Sequence, residues 1–364
     1  MVKRLVYIVL LILAFVACEE IYRPKLENVG DFLVVEAVLV SNQEQNNIYL
    51  YKTLGYGGKD MSYPVVIGAS VYLVDENDNQ VRCDETNPGT YRLNYKLNSG
   101  DAYHLYIEYA GEKYESGVQN VPETPAIDSV YAEYTTKTFT TGVSNSTDKI
   151  NDVDGFQVYS DMKYKGGTSH YRFYARKIVQ YINHFDTVYP MAFMPVTEPI
   201  YSWKSIYPTG VFNIAGPPQY SIEKDIKKHS LEFFESNPER YTSDTVMFAG
   251  WIYFIYQYAI NDDTYSFYSD VNSQLSAEGK IFDPVYIQAK GNIFCTSDPE
   301  LNVLGNFEIT TRNEKRYFLY YFKKTDSIVS LRPIPYNYDI PERGEIKIEK
   351  PDFWETKSKI YPDE

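Results

Sequence analysis

The strict alternation of side chains in residues 103–109, YHLYIEY, constrains the fold of this chain more than any other feature. Tyr103, Leu105 and Ile107 fall on one face of an extended backbone, whereas His104 and Glu108 fall on the other. This period of two predicts a β-strand with one buried face, and no helical period accompanies it in the neighbouring segments. The 37 tyrosines and 19 phenylalanines of the chain also favour sheet structure, because aromatic side chains fit a pleated, half-buried surface.

Several short segments of the same kind surround residues 103–109 and are separated by turn residues. Pro88-Gly89 and the Asp/Asn-rich residues 75–79 mark two of these turns. The number and spacing of the segments predict an N-terminal Ig-like or transthyretin-like β-sandwich over residues 32–121. Its predicted strands are Phe32 to Val40, Ile48 to Tyr51, Ala69 to Val74, Gln80 to Cys83, Tyr91 to Tyr95, Tyr103 to Tyr109 and Lys113 to Val118.

The strand pattern breaks at Pro122 and Pro125, since neither residue can donate a hydrogen bond to a sheet ladder. We place a domain boundary there and predict a larger β-rich domain over residues 126–331. Within it, residues 251–260 are apolar on both faces of an extended backbone, which predicts a central, buried strand. The predicted fold class is therefore all-β, with one or two short helices.

The less regular parts of the second domain contain the predicted helices. Residues 221–234 can form one helix, and a second is predicted near 262–277, where Asn261-Asp262-Asp263 offers candidate N-caps. The Thr/Ser/Asn-rich residues 135–154 are typical of an exposed loop. The remaining predicted elements are two closing strands and a tail, namely Leu304 to Thr311, Tyr317 to Lys323 and the Pro-rich acidic residues 332–364.

The N-terminus is typical of a bacterial secretory signal. Lys3 and Arg4 precede an apolar run that is too short to span a bilayer as a permanent helix. Phe15-Val16-Ala17-Cys18 resembles the lipobox at which a signal peptidase cleaves before an acylated cysteine. This predicts a signal peptide over residues 1–17, lipidation of Cys18 and a polar tether over residues 18–31. A plain secretory signal and an uncleaved anchor helix are the alternatives, and all three place the body of the protein outside the cytoplasm.

The charge of the chain excludes one class of partner. Removal of residues 1–17 leaves 33 of the 35 Lys and Arg residues against 49 Asp and Glu, so the net charge moves from −14 to about −16. Such a chain repels polyanions, and no cluster of basic and aromatic residues is present to bind a phosphate backbone. We therefore predict no nucleic-acid partner.

Two cysteines, Cys83 and Cys295, remain after Cys18. We expect both to be buried free thiols, with a disulfide between them as the alternative, because the sequence does not define their distance.

No sequence pattern indicates catalysis or metal binding. The four histidines, His104, His170, His184 and His229, are dispersed and belong to no zinc motif. Residues 75–79 depart from a calcium loop because Gln80 replaces the required glycine, so a hairpin turn is the better interpretation. We predict no enzyme activity, cofactor or metal. A glycosidase remains open, since its two carboxylates need no fixed spacing in the sequence.

Several short motifs resemble those of a known family. The motifs are Leu33-Val34-Val35-Glu36, Val121-Pro122, Ile127-Asp128-Ser129-Val130, Gly291-Asn292-Ile293-Phe294 and Val303-Leu304-Gly305-Asn306-Phe307-Glu308. They are similar to the Bacteroidota outer-membrane lipoproteins catalogued as domain of unknown function 4249, over almost the whole mature chain. The resemblance implies a lipoprotein commonly encoded beside TonB-dependent transporters, with no established activity and no agreed functional residues.

Two further features resemble signals of the same phylum. Glu19-Glu20, directly after the lipidation site, is similar to a surface-export signal. Four Asp-Ser/Thr-Val/Ile tripeptides resemble its O-glycosylation sequence, although such tripeptides are also common at strand ends and turns. The candidate acceptors are Ser129, Thr187, Thr245 and Ser327.

An aromatic and Pro-rich segment over residues 191–220 is the most suggestive candidate for binding. Exposed aromatic side chains on loops provide contact area at low entropic cost, whereas the alternative is a cluster that packs over the sheet. The candidate contact residues are Phe193, Tyr201, Trp203, Tyr207 and Phe212.

These observations predict a non-catalytic protein that is held at the outer membrane by the lipid on Cys18 and is exposed at the cell surface. It would act as an accessory of a TonB-dependent transporter or another surface complex. A glycan- or peptide-binding surface lipoprotein is the alternative, and a secreted hydrolase is a third.

Overall fold

The computed structural model describes residues 32–54, 63–143, 146–164, 170–187, 196–207, 211–221, 224–235, 246–276, 289–319, 323–324 and 327–328. Cys18, the predicted signal peptide, the tether and the tail lie outside these residues. The described part is mostly β, which confirms the predicted all-β class, and it contains one helix, α1 (Asp262–Ser276). Among the described residues, no helix combines the length and apolar composition needed to cross a bilayer.

The strands in chain order are β1 (Leu33–Val40), β2 (Asn46–Lys52), β3 (Ser70–Asp75), β4 (Gln80–Arg82), β5 (Asp84–Asn87), β6 (Thr90–Leu93), β7 (Ala102–Tyr109), β8 (Glu112–Ser116), β9 (Gln119–Asn120), β10 (Ile127–Val143), β11 (Ser146–Met162), β12 (Tyr171–Thr187), β13 (Val196–Ile206), β14 (Asn213–Ala215), β15 (Ile226–Glu235), β16 (Val246–Ala259), β17 (Ile293–Cys295), β18 (Val303–Leu319), β19 (Lys323–Lys324) and β20 (Ser327–Ile328). Within the described residues, the largest sheet has the order β13-β12-β16-β18-β1-β2-β6-β5, with β14 beside β12. The others are β17-β8-β7-β3-β4 with β9, then β10-β11-β15, and the short pair β19-β20.

The N-terminal core lies between the β1-β2-β6 part of the large sheet and the sheet that contains β3 and β7. The alternation in β7 buries Tyr103, Leu105 and Ile107 in this core, as predicted. β17 and β18, which follow the predicted boundary at Pro122 and Pro125, also contribute, through residues such as Ile293 and Phe307. The N-terminal sandwich is therefore completed by strands from the far end of the chain.

A second core lies between β12 and β16 of the large sheet and the three-stranded sheet β10-β11-β15. Phe173 and Ile255 from the large sheet pack with Val158 and Phe234 from the smaller one. β16 pairs with β12 on one side and with β18 on the other, so the strand predicted at 251–260 is central.

One continuous strand, β18, joins the two cores. Its first half, from Val303, runs parallel to β1, and its second half, to Leu319, runs antiparallel to β16. The prediction of two separate closing strands is wrong here. Residues 312–316, which separate the two predicted strands, are polar and lie on a stretch of β18 that leaves the N-terminal core.

The predicted helix at 221–234 is also wrong, because residues 226–235 form strand β15. Register shifts interrupt its pairing with β11, and Lys228 adopts a positive φ of 56°. As a result Ile226 and His229 are both buried although they are three residues apart, a spacing that imitates a helix. The second predicted helix is confirmed as α1.

The predicted loop at 135–154 is instead part of a long hairpin formed by β10 and β11. Thr136 donates a hydrogen bond to Asp154 across the hairpin (2.6 Å), and Thr138 donates one to Asp152 (2.7 Å). These cross-strand pairs support the two strands where few apolar residues are available.

Two smaller predictions are confirmed. Asp75 closes the β3-β4 turn by accepting hydrogen bonds from the backbone N–H groups of Asn77 (2.8 Å) and Asn79 (2.9 Å), as expected for a hairpin turn. Cys83 and Cys295 are both buried free thiols in the N-terminal core.

Candidate functional site

A set of arginine and tyrosine residues covers the outer face of strands β12, β16 and β18. On β12, Tyr171, Phe173 and Ala175 belong to the second core, so the residues between them face away from it. Three rows of paired residues cross the strands on that side, and we call them the Arg/Tyr face. The rows are Arg172–Tyr258–Arg312, Tyr174–Tyr256–Glu314 and Arg176–Phe254–Arg316.

The guanidinium groups of this face stack on its aromatic rings. The Cζ atom of Arg172 lies 4.3 Å from the ring centroid of Tyr258, and that of Arg312 lies 5.1 Å from the centroid of Tyr256. Arg176 (5.0 Å) and Arg316 (4.9 Å) both lie over Phe254. Each such contact contributes about 0.5 to 1 kcal/mol at a partly exposed site. A stacked guanidinium keeps the N–H groups along its edge available for other partners.

One end of the face is closed by a buried ion pair. Arg172 donates from Nη2 to Oε1 of Glu308 (2.8 Å), and the hydroxyl of Tyr268 on α1 donates to Oε2 of the same carboxylate (2.7 Å). Burial is the largest single effect on the pKa of Arg172 and lowers it, but Glu308, Tyr268 and Tyr258 together raise this pKa by more. The pKa of Tyr268 is raised by its burial. Glu308 therefore accepts hydrogen bonds from two protonated donors, one from each side.

At the other end of the face, the described residues include three arginines, Arg176, Arg312 and Arg316, and one carboxylate, Glu314. Arg316 donates from Nε to Oε1 of Glu314 (3.1 Å), whereas Arg176 and Arg312 form no salt bridge within the described residues. The Nε atom of Arg176 is buried and has no hydrogen-bond partner in the described part of the chain. Among the described residues, the charges at this end therefore sum to a positive value, in a protein whose overall charge is −14.

The hydroxyls of Tyr174 and Tyr256 remain hydrogen-bond donors at neutral pH. Burial raises the pKa of Tyr174, and the neighbouring Tyr207 adds to the rise. Burial, together with Glu314, likewise raises the pKa of Tyr256, although Arg176 and Arg312 act in the opposite direction. The rings of Tyr174 and Tyr256 lie side by side, with centroids 6.2 Å apart.

Two of the five predicted contact residues lie beside the Arg/Tyr face. Tyr207 is 54% exposed and lies near Tyr174. The ring of Phe212 packs on Tyr268, with centroids 4.6 Å apart, and its backbone is held by two hydrogen bonds to the side chain of Asn272.

The other three predicted residues are described less fully. Tyr201 and Trp203 lie on β13, where they pair with Ile182 and Gln180 of β12. Phe193 lies outside the described residues. Whether these five residues bind a ligand stays a prediction.

Sequence reasoning missed the arginines of this face, although a signal was present. Residues 172–176 read R-x-Y-x-R, residues 254–258 read F-x-Y-x-Y and residues 312–316 read R-x-E-x-R. Each segment shows the period of two that is typical of a strand, but only the strand order shows that the three segments are neighbours.

The candidate O-glycosylation sites occupy different structural positions. Ser129 lies on β10 and is half-buried, and its neighbour Asp128 forms ion pairs with Lys163 (3.5 Å) and Lys227 (3.9 Å). Thr187 ends β12 and Ser327 begins β20, whereas Thr245 lies outside the described residues. Modification of the four residues remains a prediction.

The best-defined histidine is part of a buried hydrogen-bond network. Nδ1 of His229 lies 2.9 Å from the hydroxyl of Tyr220, and Nε2 lies 2.6 Å from Oδ1 of Asn213. Burial lowers the pKa of His229 to about 4. The described residues contain no group of three or more His, Cys, Asp or Glu side chains that could hold a metal ion.

The motifs that suggested a family resemblance have structural roles. Asn292 donates to the carbonyl of Phe307 (2.7 Å) and accepts from its N–H (2.8 Å), so its amide extends the sheet ladder. Gly305 has a φ of +98°, and a Cβ atom there would collide with the backbone of Val35. A Cβ atom on Gly291 would in turn collide with the carbonyl of Gly305. The glycines thus allow three backbone segments to pack closely.

The fold and this face define an all-β protein with two cores joined by one long sheet, whose outer face carries arginines stacked on aromatic rings. The chain belongs to the family described as Domain of unknown function (DUF4249), whose model matches residues 19–316. The match includes both cores and all three strands of the Arg/Tyr face, and it confirms the family resemblance of the motifs. No curated protein matches the chain.

Proposed function

We propose that this protein is a non-catalytic lipoprotein of a Bacteroidota outer membrane, which acts by contact as an accessory of a TonB-dependent transporter or another surface complex. The observation that carries the proposal is the Arg/Tyr face, because Tyr and Arg are enriched among the residues that dominate protein–protein binding energies. Its rows extend over three strands of one sheet, which is the layout of a contact surface.

The predicted lipid on Cys18 supplies the other half of the mechanism. Several acyl chains, each contributing about 0.8 kcal/mol per buried methylene, hold a lipoprotein at the membrane. Confinement to the membrane plane raises the effective concentration of a co-anchored partner, so a modest intrinsic affinity is enough for stable association. We propose that Glu19-Glu20 directs the anchored protein to the cell surface.

Affinity purification from detergent-solubilised outer membranes tests this function. We expect a transporter to be recovered with the wild-type protein, and less of it with a variant whose face carries Arg312→Glu. Recovery of the protein alone, without any membrane partner, would contradict the accessory role. A Cys18→Ala variant should leave the membrane fraction, and its retention there would contradict the lipid anchor.

The exposed Tyr207 beside Tyr174 favours a second candidate, in which the same surface holds a glycan or peptide nutrient. Replacement of Trp203 and Tyr207 by Ala should then weaken retention of the protein on an immobilised glycan. Unchanged retention would remove this candidate and leave the accessory role in place.

A further inference from the structure

We infer that Arg176 and Arg312 form a two-point site for a partner protein segment that carries two carboxylates. This inference rests on the proposed contact function and names the chemistry of the partner. Both guanidinium groups are held on aromatic rings, over Phe254 and Tyr256 respectively, and neither has a carboxylate partner within the described residues. The two side chains therefore present oriented and unneutralised donors to an incoming segment.

The buried Nε atom of Arg176 points to a missing acceptor. Buried donors are almost always hydrogen-bonded in folded proteins, because a desolvated and unpaired group is costly. The Nε atom of Arg172 is also unpaired, but that side chain already binds Glu308. Arg176 has no such anion among the described residues, and because its Nε atom is itself buried, a partner oxygen would pair with the other N–H groups of this half-buried side chain.

The way in which the arginines stack selects carboxylates over neutral sugars. A sugar binds an aromatic ring through the open face of that ring. On the Arg/Tyr face, guanidinium groups already lie over the rings of Tyr256 and Tyr258, and Phe254 is buried at 2% exposure. Over β16, the groups that remain for binding are therefore the edges of the guanidinium groups and the tyrosine hydroxyls. Guanidinium edges match the two oxygens of a carboxylate.

The separation of the two guanidinium groups matches an extended segment with acidic residues at alternate positions. Arg176 pairs with Phe254 and Arg312 pairs with Tyr258, so the two lie on opposite sides of β16 and four positions apart along it. Their guanidinium groups lie closer together than their Cα atoms, because they are stacked over Phe254 and Tyr256, which are two positions apart on one face of β16 and therefore about 7 Å apart. Two acidic residues at alternate positions of one extended segment have the same spacing, so such a segment can pair with both groups.

Long-range electrostatics do not favour such a partner, so its binding would depend on short-range contacts with the two arginines. A chain with a net charge of −14 repels an acidic segment at a distance, so capture must depend on short-range paired hydrogen bonds. Lysine preserves the charge of arginine but lacks the planar fork of donors. Replacement of arginine by lysine therefore separates paired recognition from simple charge attraction.

The experiment uses the full mature chain in detergent and a fluorescent peptide with two Glu residues separated by a Ser spacer. A peptide of the same length with Gln in place of Glu is the matched ligand control. We expect binding of the Glu peptide only, and a loss of affinity on the order of ten-fold or more in the Arg176→Lys/Arg312→Lys variant. An Arg82→Ala/Lys96→Ala variant removes two exposed positive charges elsewhere and should bind like the wild type.

Three results would overturn the inference. The first is equal binding of the Gln peptide, and the second is full binding by the double lysine variant. The third is tighter binding of an oligogalacturonate than of the Glu peptide, a result that would indicate an acidic polysaccharide as the ligand. If the double variant does not fold, the single Arg312→Lys variant provides the same comparison, because Arg312 is only half-buried. Transporter recovery by a variant that no longer binds the Glu peptide would reject this inference and leave the proposed function intact. Peptide binding without any recovered membrane partner would support this inference and contradict the proposed accessory function.

Discussion

Arg172 and Glu308 form a buried ion pair across an intervening strand, with 2.8 Å between Nη2 and Oε1. Arg172 lies on β12 and Glu308 on β18, and the guanidinium reaches its partner over the ring of Tyr258 on β16. Glu308 belongs to the half of β18 that pairs with β1 in the N-terminal sandwich, whereas Arg172 pairs with residues beside the second core. The pair therefore connects the N-terminal sandwich to the part of the large sheet that covers the second core.

Removal of one member of this pair should be strongly destabilising. We expect Arg172→Met, which leaves Glu308 buried without its cation, to lower the free energy of unfolding by about 3 to 5 kcal/mol. Urea denaturation followed by tyrosine fluorescence measures the change. The matched control is Glu314→Gln, which removes the partner of the exposed Arg316 and should cost less than about 1 kcal/mol. Equal effects of the two substitutions would contradict the structural role of the buried pair.

Stability should fall with acidification because of His229. Burial lowers its pKa from the ordinary 6.5 to about 4 in the folded protein, so the unfolded chain binds more protons between these values. The neutral histidine therefore contributes stability above pH 6.5, and this contribution is lost as the pH falls towards 4, by up to about 3 kcal/mol.

The variant His229→Gln should flatten the pH dependence of the unfolding free energy within that window. His170, whose pKa is lowered by burial despite its contact with Asp262, should account for part of the remaining slope. The double variant His170→Gln/His229→Gln tests this. A wild-type slope in the double variant would exclude both histidines as its source.

Gly305 should tolerate no side chain. We expect Gly305→Ala to cost more than about 3 kcal/mol, since it combines a positive φ of +98° with a collision against the backbone of Val35. Gly100 is a matched control because its φ is +88° but no atom lies within 4 Å of the place that a Cβ atom would take, so Gly100→Ala should cost only about 1 to 2 kcal/mol. Thermal unfolding of the two variants measures the difference. A similar cost for both would show that the close approach of β1 and β18 contributes nothing.

The thiol of Cys83 should be inert in the folded protein. Burial, reinforced by Asp84, raises its pKa to about 12, so little thiolate forms near neutral pH. We expect an aromatic disulfide reagent to react with it slowly in buffer and rapidly in denaturant, with the Cys83→Ser variant identifying the signal. Rapid reaction under native conditions would show that the N-terminal core opens readily.

Local patterns in the sequence predicted a strand or helix correctly where that element buries one of its own faces. The alternation at 103–109 predicted β7, and the capping and spacing after Asn261 predicted α1. They failed where the pattern depends on a distant partner. The bulge at Lys228 changed the burial period of β15, and the hairpin β10-β11 is supported by cross-strand Thr–Asp hydrogen bonds that no single strand reveals.

The sequence by itself determined the all-β class and the family, because these depend on composition, side-chain period and short contiguous motifs. The anchor at Cys18 also comes from a short motif and stays a prediction. Only the tertiary structure decided that β18 completes both halves of the molecule and that residues 172–176, 254–258 and 312–316 form one face. The physical reason is that the neighbours of a strand in a sheet depend on which pairing buries apolar faces, and these faces come from segments throughout the chain. Arg176 and Arg312 are far apart in the sequence, and they meet on this surface because two hydrophobic cores close on the other side of the sheet.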